Sequence, residues 1–238
     1  MNTSRKTARI VGGLYIIATV AGILSVVFLG PILYAPDYLI AVSENGNQVI
    51  IGAFFLFIMA AAIAGTAIAI YPILKKHNEA LALGVVGGRI VEGVLFVVNV
   101  ITILSLLTLS QELAKAGAPD ASYFQTLGTL LLAAGDWAGN VLAAIVFPLS
   151  VLMLYYILYQ SKLIPRWLSG WGFIGATLYL AQGLLSLFGL LVYPPSSIAP
   201  LYLPLAVNEM VLAVWLIVKG FNPSAIASGS AKTDINEV

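Results

Sequence analysis

Four charged side chains interrupt long apolar runs: Arg89, Glu92, Asp136 and Glu209. A charge in hydrocarbon is costly and must face protein or water, so each marks a candidate intramembrane site. Arg89 and Glu92 are three residues apart, which places them on one helix face. Asn99, seven beyond Glu92, extends that face. Asp136 and Asn140 are four apart, Asn208 adjoins Glu209, and Gln182 adds a further carboxamide. The economical arrangement gathers these groups into one polar core. Three carboxylates facing one guanidinium leave two negative charges in excess if all ionise. A dry interior does not hold that excess, so either some carboxylates carry protons or water or a cation reaches them.

This constellation supports three chemistries. In the first, Arg89 grips a carboxylate with its two-pronged guanidinium and only locks helices together. In the second, the group binds a small solute, cation or proton near the membrane midplane, as a proton-linked transporter would. In the third, Glu92 and Glu209 act as an acid/base pair in an intramembrane enzyme. The enzyme reading has least behind it. The chain has no G-x-S-x-G and no H-E-x-x-H. Its one histidine, His77, falls in a polar loop, Lys75-Lys76-His77-Asn78-Glu79. With no cysteine there is no thiolate metal site, disulfide or thiol nucleophile. No metal and no cofactor is expected. Gly87-Gly88 lies within an apolar run and reads as packing.

The elements that must position these residues are membrane helices. Of 238 residues, 61% are hydrophobic and 9% are charged, where a soluble domain has about 25% charged. Mean hydropathy is +1.01. Too little polar surface exists for a water-soluble globule, and the net charge of +1 offers no basic field for nucleic acid. The expected fold is all-α: a polytopic bundle of six transmembrane helices in the lipid bilayer.

A span takes ~20 apolar residues. The spans expected are 10–29, 49–74, 81–109, 136–159, 167–192 and 198–218. They lie between a basic N-terminus, 1–9, and a flexible tail, 222–238. The first follows Arg5, Lys6 and Arg9 but is longer than a signal peptide's apolar core and has no small-x-small site after it. The apolar run from Ala121 to Gln160 would reach ~60 Å as one helix. It is therefore divided near Gly135, with 121–134 as a short outer interfacial helix. Pro148 and Pro204 fall inside the fourth and sixth spans, where they would kink the helix.

Of eleven Lys and Arg, Arg89 is inside a span and Lys115 faces one side; the other nine fall on the opposite side. The positive-inside rule then places both termini in the cytoplasm. By helical rise, Glu92 and Glu209 come near the midplane, Arg89 a little cytoplasmic of them, and Asp136 near the outer boundary. Small residues at four-residue spacing (Ala61-Gly65-Ala69, Gly84-Gly88, Gly135-Gly139) suit close helix packing within the chain. They also suit a homodimer or a heteromeric membrane partner. Glu92-Gly-Val-Leu-Phe-Val and Glu209-Met-Val-Leu-Ala-Val share E-x-V-L-x-V, 117 residues apart. They stand in the third helices of two three-span halves that cross in opposite senses, as in inverted-repeat transporters.

The sequence also resembles a known family through several segments: Ala8-Arg9-Ile10-Val11-Gly12-Gly13-Leu14-Tyr15, Arg89-Ile90-Val91-Glu92, and Asp136 with Gly139. Leu158-Tyr159-Gln160-Ser161 through Leu163-Ile164-Pro165-Arg166 adds to it, as does Asn208-Glu209 with Val214 to Phe221. Together these resemble the domain of unknown function 4386 family of bacterial multi-pass membrane proteins, over roughly Ala8 to Phe221. The resemblance implies a bacterial cytoplasmic-membrane protein and no particular substrate. Where that family carries histidines in the fourth span, this chain has Ala138 and Leu154, which weakens any metal or proton-relay role.

Overall fold

The computed structural model describes residues 3–116, 121–191 and 195–228. It is all-helical, with no strand among the described residues. In chain order the elements are α1 (Thr3–Leu33), α2 (Tyr38–Glu44), α3 (Gly46–Leu74), α4 (Glu79–Ala116) and α5 (Ala121–Asp136). A π-helical turn (Trp137–Leu142), α6 (Ala143–Ser161), α7 (Arg166–Leu187) and α8 (Pro195–Val218) follow. Among the described residues, five helices are long and apolar enough to cross a membrane: Thr3–Leu33, Gly46–Leu74, Glu79–Lys115, Ser122–Ser161 and Pro200–Val218. α7 is not among them; Trp171, Tyr179, Gln182 and several glycines dilute its apolar run.

Local chemistry sets the turns. Asn78 caps α4 by accepting a hydrogen bond from the Leu81 backbone N–H at 3.0 Å. α6 stops at Lys162, whose φ of 57° is left-handed, and Pro165 precedes the first residue of α7. α8 ends at Val218; the Lys219 and Gly220 N–H groups both reach the Trp215 carbonyl, and Gly220, with φ 77°, turns the chain away. Arg5 of α1 donates to the exposed Val218 carbonyl at 2.5 Å. A cation thus meets the negative end of the α8 dipole. That contact puts the start of α1 and the end of α8 at one end of the bundle, the near end. The turn after α2, at Asn45, lies at the far end.

The core is correspondingly double. The near cluster centres on Tyr15, Ile70, Leu154, Tyr155, Leu168 and Leu212. The far cluster centres on Leu29, Leu39, Val49, Leu56, Ile103 and Leu106. Glycines let the helices approach. Gly12 leaves no room for a Cβ against the Ala213 carbonyl, and Gly84 and Gly88 seat Met153 and Ser150 of α6. The four-residue glycine spacing therefore serves contacts within the chain.

Three features depart from the sequence expectation. The run divided near Gly135 is one continuous helical path, Ser122–Ser161. A π-turn interrupts its register without breaking it, and its N-terminal end packs on α4 and on Tyr38 of α2, whose hydroxyl meets Thr129 Oγ1 at 3.4 Å. α2 itself is too short to show an apolar period. Ordered packing also continues past Asn222, whose N–H donates to the Leu163 carbonyl at 2.9 Å while Ala225 joins the near core. The rest of the expected tail, 229–238, and the polar loop residues Gly117, Pro119 and Asp120 lie outside the described residues. Pro148 and Pro204 lie inside α6 and α8.

Candidate functional site

The near core holds the first polar group. Arg89 and Glu92 are 5% and 4% exposed, and Arg89 Nη1 stands 3.1 Å from Glu92 Oε2. Arg89 Nη2 is 4.0 Å from Glu209 Oε1, so the guanidinium bridges two acids from α4 and α8. Phe147 of α6 covers the guanidinium, with its ring centroid 4.7 Å from Cζ, a cation–π contact. Asn208, fully buried, accepts a short hydrogen bond from the Tyr155 hydroxyl and donates to the Leu168 carbonyl at 3.0 Å. One carboxamide thereby ties α8 to both α6 and α7. Gly172 makes this possible, because the Tyr155 ring occupies the place its Cβ would take. A space of about 10 Å3 reaches Arg89 between Tyr15, Thr66 and Ser150. That is about one water-sized probe and no more.

The second polar group lies apart, in the far half. A cavity of about 630 Å3 opens between α1, α3, α4, α5, the π-turn, α7 and α8. Its polar flank is Asn99, Thr102, Asp136 and Asn140; Tyr179 and Tyr202 also line it. Its remaining walls are mostly apolar, among them Val26, Leu33, Leu56, Met59 and Leu131. Asn140 Nδ2 donates to Asp136 Oδ1 at 2.8 Å, and Asp136 is exposed and lines the cavity. Asn99 packs onto a glycine bed: a Cβ at Gly135 would stand 2.8 Å from its Oδ1, and one at Gly139 would overlap its Nδ2. Thr102 Oγ1 donates to the Asn99 carbonyl at 2.8 Å. The π-turn begins immediately after Asp136, and such turns recur where a helix re-aims side chains for function.

The eight polar residues singled out by sequence thus do not form one core. Arg89, Glu92, Glu209 and Asn208 gather in the near half. Asn99, Asp136 and Asn140 line the far cavity, and none of the first four does. Gln182 of α7 is buried at 4% exposure, lies outside that lining, and its Oε1 has no hydrogen-bond partner among the described residues. No group of His, Cys, Asp and Glu that could hold a metal occurs among the described residues.

Sequence reasoning missed Tyr15, Tyr155 and Phe147 around the guanidinium, and Thr102, Tyr179 and Tyr202 around the cavity. A signal existed for two of them: Thr102 is three beyond Asn99, and Tyr179 three before Gln182, each on the marked face. Phe147, Tyr179 and Tyr202 form a chain of rings with centroids 5.5 and 6.3 Å apart, running from the guanidinium to the cavity.

A family model described as Domain of unknown function (DUF4386) matches residues 10–220, most of the chain, and the chain belongs to that family. No curated protein and no solved structure matches it.

Proposed function

We propose that this member of the DUF4386 family is a multi-pass membrane protein that binds a small amphipathic ligand in its far-half cavity. The Arg89–Glu92–Glu209 group is the helix lock that holds the bundle around it. One observation carries the reading. A cavity of about 630 Å3 meets Asp136, Asn140 and Asn99, whereas about 10 Å3 reaches Arg89. Ligand pockets typically hold ~300–1,000 Å3 with apolar walls and a few convergent polar groups. The far cavity fits that description and the near one does not.

The finer topology belongs to the same proposal. α7 has 22 residues and at ~1.5 Å per residue reaches ~33 Å, enough to cross. With α7 counted, six crossings bring α8 back beside Arg5. Eight described basic residues at the near end, from Arg5, Lys6 and Arg9 to Lys219, favour the cytoplasmic side of a bacterial membrane for both termini. Because the chain has no cysteine, single cysteines can test this. An impermeant maleimide should label Glu112→Cys and not Lys76→Cys in intact cells.

The binding reading is tested by thermal unfolding in neutral maltoside micelles with eight-carbon amphiphiles bearing a positive, a negative or no charge. At least one charge class should raise the melting temperature of the native chain and leave Ala206→Trp, with the cavity filled, unmoved. Equal shifts in both proteins, or no rise with any class, would remove the proposed site.

A further inference from the structure

Asp136 is the one carboxylate of the far cavity, and no salt bridge reaches it among the described residues. Its Oδ1 accepts the Asn140 carboxamide, while Oδ2 accepts no hydrogen bond among the described residues. Its exposed carboxylate therefore lines a mostly apolar space with no opposite charge beside it. The near half sets Arg89 beside its acids. The far half's one described cation, Lys115, is paired with Glu112 at 2.8 Å and makes no ion pair with Asp136.

What surrounds Asp136 is suited to a cation from outside. Asn99, Asn140 and Thr102 offer carboxamide and hydroxyl oxygens on the same flank. Tyr179 and Tyr202 line the same space with rings tilted 52° to one another. Aromatic faces attract alkylammonium groups through the ring quadrupole. Only two of these six residues, the tyrosines, carry an apolar body, and they continue into the aliphatic walls at Leu33, Leu56, Met59 and Leu131. The single charge is too sparse for a divalent metal, which takes several oxygen or nitrogen ligands. One carboxylate with carboxamides, tyrosines and a long apolar wall matches one ammonium head on an apolar tail.

We propose that the far cavity takes an amphipathic ammonium compound, its charged head held by Asp136 and its apolar body against α1, α3 and α5. This deepens the binding reading above and rests on it. The head can belong to a free amine or to the ammonium headgroup of a lipid, since both present the same charge to Asp136.

The test is equilibrium dialysis of octyltrimethylammonium, octyl glucoside and octyl sulfate against the full chain in maltoside micelles. Octyltrimethylammonium should bind at least tenfold more tightly than octyl sulfate. Asp136→Asn should erase that preference, and Glu112→Gln, on an exposed and already paired acid, should keep it. Tyr202→Leu should weaken the cation several-fold and the glucoside hardly at all. If added phosphatidylethanolamine displaces the probe and phosphatidylglycerol does not, the head comes from lipid; if neither displaces it, from a free amine. Binding that ignores charge, or is unchanged in both Asp136→Asn and Tyr202→Leu, overturns this inference and leaves an uncharged amphiphile site standing. Binding of none of the three compounds removes the site itself.

Discussion

The two halves of the bundle use the same kinds of side chain to opposite ends. In the near half, Glu92 and Asn208 are buried and Glu209 keeps 16% of its side chain exposed, Arg89 bridges the two acids, and a space of about 10 Å3 reaches the guanidinium. In the far half, an acid and two carboxamides border about 630 Å3. What separates them is the packing partner. Gly172 admits an aromatic ring and the near half fills. Gly135 and Gly139 admit Asn99, and the cavity opens beside them and the π-turn. A buried polar residue thus marks a lock or a site according to whether its neighbours supply the opposite charge.

That contrast can be broken by mutation, most strongly in the near half. Arg89→Met leaves Glu92 buried without its partner, and loss of one member of a buried ion pair costs ~3–5 kcal/mol. The melting temperature of the detergent-solubilised protein should fall steeply. An unchanged value would mean that the near group is not a lock. Replacing Arg89, Glu92 and Glu209 together by Met and Leu should recover much of the loss, because apolar isosteres often match a buried pair.

Gly172→Ala comes next. The new methyl meets the Tyr155 ring, and overpacking of this kind costs ~1–3 kcal/mol. Gly13→Ala on α1, where nothing lies within 4 Å, is the matched control and should leave the unfolding temperature in place. Tyr155→Phe removes the donor to Asn208 and leaves a buried acceptor unpaired, at about 1–3 kcal/mol. A fall no larger than that of Tyr156→Phe, on an exposed ring, would show that the Asn208 tie contributes little. The smallest effect on stability belongs to Asp136→Asn. It removes a charge that faces open space, and a change within ~0.5 kcal/mol is expected. A large loss of stability there would make Asp136 part of a lock and erase the contrast.

Much of the frame was legible in composition and run length. The apolar runs mark all five membrane-competent helices, and the three-residue spacing of Arg89 and Glu92 anticipates their ion pair. The α5–α6 path was not legible. A π-turn shifts register by one residue and leaves no composition signal, so Gly135 read as a break when it is a seat for Asn99. α2 is seven residues long, too short for a period to appear. The division of the polar residues into two groups was hidden for a different reason. Spacing places residues on one helix face, but only the packing of neighbouring helices decides whether that face meets Tyr155 or empty space. Tyr179 and Tyr202 carry no charge, so the cost of burial does not mark them, and only the placement of the helices shows that they line the cavity.

The most direct test of the division uses thiol access. With no native cysteine, Thr102→Cys reports on the far cavity and Ser150→Cys on the space beside Arg89, each a small change at a residue lining its own space. The reagent is a small cationic methanethiosulfonate, with the reaction followed by mass in the folded protein. Thr102→Cys should react readily and Ser150→Cys only after unfolding. Equal reactivity at both, or reaction at Ser150→Cys alone, would contradict the account of a closed lock beside an open site.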